Sequence, residues 1–171
     1  MPLKKPKSVP KIAKARKKTI EKIKEAVPIK KESEIEYVCR VSFKYNPQKK
    51  IQQYAFNLET SKLFSSMNYA ITTESKKEKK VIDISILGLT PKQTYFTEPG
   101  PAKSEILMDD LYGEYTVNII KKDGSINSAV LDFNVFKKEI KLLNEFLPPK
   151  KNNRKFCLFT IEQDQFTFEK G

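Results

Sequence analysis

The sequence predicts a mainly β protein: an antiparallel β-sandwich-like body with a basic N-terminal helix and tail, and one short helix near the C-terminus. Three observations carry that expectation. Apolar residues alternate with polar ones through Ile35, Tyr37, Cys39, Val41, Phe43 and Tyr45, the period of a half-buried strand. Turn-forming pairs such as Asn46-Pro47 and Asp123-Gly124 separate further runs of this kind. The charge is also uneven. Of a formal +12, residues 1–33 supply twelve Lys/Arg against three Glu, so the remaining body is close to balanced.

Residues 1–33 read as an arm. Pro2, Pro6 and Pro10 space an extended Lys-rich start. From about 11 to 27, Ile12, Ala15, Ile20, Ile23 and Val27 recur at three and four residues with Lys between them, an amphipathic basic helix stopped by Pro28. Residues 34–171 form the β-rich domain. Strands are expected at about 35–45, 51–59 (Tyr54, Phe56 and Leu58 inward), 64–73 (Met67, Tyr69 and Ile71) and 81–89 (Ile82, Ile84 and Ile86), with residues 75–80 as a charged loop. Pro91, Pro99, Gly100 and Pro101 mark 90–104 as irregular. Strands at about 114–121 and 126–135 meet at Lys122-Asp123-Gly124. With Gly124 in the left-handed position, Tyr115 faces Leu131 and Val117 faces Ala129. Phe136, Ile140, Leu143 and Leu147 stand at helical spacing before Pro148-Pro149, which predicts a helix over about 136–147. A hairpin is expected over about 156–168, turning near Gln163-Asp164.

Two segments carry a resemblance. Leu89-Thr90-Pro91-Lys92-Gln93-Thr94-Tyr95 resembles the LxPxxxY stretch of fibronectin type III domains, and Gly113-Glu114-Tyr115-Thr116-Val117 followed by Asp123-Gly124 resembles the GxYxVxV…DG hairpin of bacterial Ig-like modules. Both resemblances imply an Ig-like antiparallel sandwich. Neither brings functional residues with it.

Composition excludes several chemistries. There is no His, so no His-based triad, base or metal ligand exists in the chain, and five Gly leave little for a phosphate-cradling loop. Walker A, GxGxxG, GxSxG, HExxH and EF-hand patterns are missing. Cys39 and Cys157 lie in unrelated contexts and read as reduced, strand-borne thiols. The acids Asp109-Asp110, with Glu105 and Glu114 nearby, read as turn residues rather than a cation site. No cofactor, metal or catalytic group is expected, and no transmembrane segment. Met1-Pro2-Leu3 leads straight into Lys residues rather than the apolar run of a signal peptide, so an intracellular location is expected, cytoplasmic or, in a eukaryote, nuclear.

What remains is charge. In a four-strand meander, the first and third connections fall at one end of the sheet, which would group Lys49 and Lys50 with Lys76, Lys77, Lys79 and Lys80, opposite a turn near Thr60-Ser61. Together with Lys4, Lys5, Lys7, Lys11, Lys14, Arg16, Lys17 and Lys18 of the arm, they are the candidate polyanion-binding residues. The expected function is a non-enzymatic binding protein that contacts RNA, DNA or another polyanion, within a larger assembly. The alternative is a structural accessory subunit whose arm docks on an acidic or apolar protein surface. The strand aromatics Tyr37, Phe43, Tyr45, Tyr54, Phe56 and Tyr69 read as core rather than as base-stacking groups, leaving Tyr45 and Tyr95 as candidates for exposure.

Overall fold

A computed structural model describes residues 20–93 and 97–162. It is mainly β: β1 (Tyr37–Asn46), β2 (Ile51–Phe64), β3 (Tyr69–Glu78), β4 (Val81–Pro91), β5 (Gly100–Met108), β6 (Gly113–Ile120), β7 (Ile126–Asn134), β8 (Glu139–Phe146) and β9 (Cys157–Glu162). Instead of two facing sheets, the nine strands form one sheet in the order β8-β7-β6-β4-β3-β5-β2-β1-β9. That sheet curls into a nearly closed, barrel-like form. At its open seam β8 and β9 are joined by a side chain rather than by a backbone ladder, the Phe159 amide donating to Glu145 Oε1 at 3.0 Å.

The alternation read in β1 defines the wall of the core. Cys39, Val41 and Phe43 are buried and lie opposite Leu58, Phe56 and Tyr54 of β2. Ile82, Ile84 and Ile86, then Tyr115, Val117 and Ile119, and Ala129, Leu131 and Phe133 complete one continuous apolar interior. Phe133 sits at its centre, with its ring 4.8 Å from Tyr54, 5.8 Å from Tyr115 and 6.1 Å from Phe56. The β6–β7 register pairs Tyr115 with Leu131 and Val117 with Ala129, as the turn chemistry predicts. Cys39 and Cys157 are free and buried. Burial pushes the Cys39 thiol up to about 12, and it raises the Cys157 thiol as well, so neither forms a reactive thiolate readily.

Four expectations are corrected. Residues 136–147 do not form a helix, since β8 runs through 139–146 on β7. A register shift between Val130 and Leu131 breaks its alternation, so its apolar residues fall at spacings of three and four. Residues 100–104 of the stretch read as irregular belong to β5, which runs on to Met108, lies between β2 and β3 and so breaks the simple meander. The Thr60-Ser61 turn is a bulge inside a longer β2, between Glu59 and Leu63. The charged loop 75–80 is shorter than expected, because β3 continues to Glu78 and only Lys79-Lys80 turn the chain. The second strand of the expected C-terminal hairpin, residues 166–168, lies outside the described residues.

Of the expected 11–27 helix, residues 20–25 are helical (α1) and 11–19 lie outside the described residues. This stretch is not detached from the body. Ile23 is buried against Ile120 and Ile126 on the outer face of the sheet. Lys24 pairs with Asp83 at 2.9 Å. Lys150 Nζ donates to the Lys24 carbonyl of α1 and to the Gly124 carbonyl, both at 2.7 Å, and beyond α1 Asn152 Nδ2 donates to the Pro28 carbonyl at 3.0 Å. An ion cluster lies beside this clamp. Nearly buried Arg154 reaches Asp123 at 2.9 Å and Glu36 at 3.6 Å, and Lys121 also pairs with Glu36. Burial alone would raise the Asp123 carboxyl; the Ser125 amide and hydroxyl, then Arg154 and Lys121, outweigh it and hold the group below its usual range.

Candidate functional site

Strand directions decide which turns share an end. β1 is antiparallel to β2, β2 is antiparallel to β5, and β5 is parallel to β3, so β1, β5 and β3 all run the same way. β4 opposes β3, β6 is parallel to β4, and β7 opposes β6, so β7 joins them. The turns that follow β1, β3, β5 and β7 therefore form one rim. Lys49-Lys50 and Lys79-Lys80 meet on it by this route, with β5 interposed between the hairpins.

Each turn is held by local chemistry. In the β1–β2 turn, Asn46 Oδ1 accepts the amides of Gln48 and Lys49 at 3.0 and 3.1 Å, and Lys50 takes a left-handed φ of 55°. Gln53 links this turn to the next by donating to Asp109 Oδ1, while Lys49 lies 3.8 Å from Asp109 Oδ2. In the β3–β4 turn Lys79 is left-handed at 53°. Lys80 Nζ donates to the Tyr112 carbonyl at 2.6 Å and sits 4.4 Å from the Tyr115 ring centre. In the β7–β8 turn, Asn134 Oδ1 accepts the Lys137 amide at 3.0 Å and the Lys138 amide donates to the Val135 carbonyl at 3.2 Å.

The candidate residues thus differ in availability. Lys49 is paired with Asp109, Lys76 with Glu78 at 3.1 Å, and Lys80 is spent on Tyr112 and Tyr115. Lys50, Lys77 and Lys79 are exposed, with no side-chain partner among the described residues. Lys4, Lys5, Lys7, Lys11, Lys14, Arg16, Lys17 and Lys18 lie outside the described residues. The described helical residues, 20–25, have a defined course, however. Ile20, Glu21 and Lys24 line a groove of about 330 Å³ with Glu74, Lys76 and Asp83, while Ala26 packs on Gly124 at the opposite end of the barrel. The described part of α1, residues 20–25, therefore runs from the side of the β3–β4 turn away from the rim.

Sequence reasoning missed part of this rim. Lys137 and Lys138 belong to it, as do Tyr112, 56% exposed, and Phe136, 83% exposed. Phe136 falls at the start of the expected helix. Its one warning signal is the Asn134 that precedes it at turn-forming distance. Of the aromatics expected to be exposed, Tyr45 is half-buried and Tyr95 lies outside the described residues. Phe43, Tyr54 and Phe56 are core. Among the described residues no cluster of three or more metal-ligating side chains occurs, and no helix is long and apolar enough to cross a membrane. In comparison with known proteins, no family model, curated protein or solved structure matches the chain.

Proposed function

We propose that this protein is a non-enzymatic binding protein that contacts a polyanion, RNA or DNA, through its Lys-rich arm and the basic rim of the barrel. The observation that supports this reading is convergence. The β1–β2, β3–β4 and β7–β8 turns all present Lys at one end, and Ile20 and Glu21, the first described residues after the basic part of the arm, lie against β3 near the β3–β4 turn. Lys is a flexible point charge suited to phosphates, and bidentate guanine reading calls for Arg, of which the described body holds only Arg40 and Arg154. Both of those are engaged by carboxylates. Affinity then comes from counterion release, with little base-edge readout.

The test is salt dependence. Raising salt from about 50 to 200 mM is expected to weaken binding to duplex or single strands by about 10³-fold or more, as for six or more phosphate contacts. Changing Lys50, Lys77 and Lys79 to Gln together lowers the slope of log affinity against log salt, and the fold is unaffected because all three are exposed. A flat slope, or no binding at low salt, removes this reading.

An accessory subunit of a protein complex is the second reading. The feature that favours it is the seam, where Leu142, Leu143, Phe146, Leu147 and Leu158 are all more than a third exposed along the unpaired edges of β8 and β9. It predicts capture of a protein partner that survives both nuclease and high salt.

A further inference from the structure

Phe136 and Tyr112 have no packing role that accounts for them. Phe136 is 83% exposed, and the turn that carries it is closed by Asn134 and the Val135 carbonyl, without help from its ring. Leaving a Phe this exposed forfeits the stabilisation that burial would give, so a polar residue would serve the turn better. Tyr112 is 56% exposed while its neighbour Leu111 is buried, so the loop is anchored by Leu111 and presents Tyr112 outward. Tyr112 is braced from beneath, because its carbonyl accepts from Lys80 Nζ at 2.6 Å. The two rings meet edge to face, with centres 6.1 Å apart and planes at 73°. An edge-to-face pair fixes both rings and leaves a flat face open to a further planar group.

Cations surround this pair. Lys137 and Lys138 share the turn of Phe136, and Lys79 and Lys80 form the hairpin that supports Tyr112. The opposing acids of the rim are largely occupied: Asp109 by Gln53 and Lys49, Glu78 by Lys76, and Glu139 by Lys141 at 3.4 Å. Asp110 and Glu114 remain as negative charges near Tyr112. Protein-binding hot spots use aromatics too, but Lys is depleted from the cores of such interfaces. Exposed rings set among Lys side chains are what a single strand requires, since its bases stack while its phosphates are neutralised. A duplex keeps its base faces stacked inside and offers none to a ring.

Resting on the polyanion reading above, we propose that the Tyr112–Phe136 pair is a base-stacking platform, and that the rim takes single-stranded nucleic acid in preference to duplex. A nucleobase lies on the open face of Phe136, Tyr112 holds that ring in place, and Lys79 and Lys137 reach the flanking phosphates.

The experiment uses the full chain and three probes at low salt: an oligothymidylate of about 12 nucleotides, within the span that single-strand folds occupy, an abasic deoxyribose-phosphate strand of equal length, and heparin. Phe136→Ala is expected to weaken oligothymidylate binding about tenfold, the loss of one stacked base, and to leave the abasic strand and heparin unchanged. The chain contains no Trp, so Phe136→Trp places a single reporter at the site. Its emission should be quenched by oligothymidylate and not by the abasic strand. If Phe136→Ala and Tyr112→Ala both bind oligothymidylate like the unaltered protein, or if the emission of the Phe136→Trp variant does not move at saturation, the platform is overturned while the polyanion reading stands. If none of the three probes binds, both readings fall. If Phe136→Ala releases a protein partner yet leaves oligothymidylate affinity intact, the pair is a protein contact and the proposal fails.

Discussion

At Gly124 two requirements coincide. Its φ of +92° lies where L side chains are strained, and a Cβ there would stand 2.1 Å from the Ala26 carbonyl oxygen and 2.7 Å from its carbon. Those neighbours are backbone, and they are pinned by Lys150 on one side and by the Ala26 amide bond to the Lys22 carbonyl on the other. Gly88 offers the contrast: its φ is +152°, yet nothing lies within 4 Å of its absent Cβ. Gly124→Ala is therefore expected to cost about 2 kcal/mol or more, against about 1 for Gly88→Ala, when thermal unfolding of the two is compared. Gly124→Ala should also speed amide exchange in 20–26, which Gly88→Ala leaves alone. Asp123-Gly124 is legible as a turn from sequence. The closeness of Ala26 is not, because a turn pattern carries no information about what packs on it.

At the scale of elements, α1 is a single-sided contact. Its described residues, 20–25, are held on the barrel by Ile23 in the Ile120–Ile126 patch and by the Lys24–Asp83 pair. Ile23→Ala should cost about 2 kcal/mol in chemical denaturation, at the low end for a buried Ile because the patch is small and near the surface. It should also expose the chain to protease between Ile20 and Pro28 while the barrel stays folded. Elements with clear alternation, β1, the first half of β4 through Ile86, and the β6–β7 pair, are readable because one face is buried there. β8 is not, because the register shift near Leu131 moves Leu143 out of phase and leaves helical intervals behind. β5 is hidden by Pro99, Gly100 and Pro101, residues that rarely sit inside a sheet. The structure accommodates Pro101 opposite Leu63, where the bulge in β2 has already interrupted the ladder. The basic turns of the candidate site can be read as Lys runs. The aromatic pair between them depends on two loops meeting across β6 and β7, which no local pattern encodes.

For the whole molecule, the unusual joint is the parallel pairing of β9 with β1, from Tyr37 opposite Cys157 to Ser42 opposite Glu162. A second parallel joint, β4 with β6, links the two halves of the barrel. Neither can close through a tight turn, so each must wait for distant chain to arrive. Time is therefore built into the topology. The β6–β7 hairpin can zip on the scale of about 1–10 μs, whereas completion of the barrel belongs with all-β proteins of high contact order, at milliseconds to seconds. During a refolding reaction, pulsed hydrogen exchange should show β6 and β7 protected first and β9 last. Across that interval β1 is a ladder with one rail, its buried Cys39, Val41 and Phe43 held by β2 alone. Early protection of β9 would mean that the ends of the barrel find each other before its middle forms.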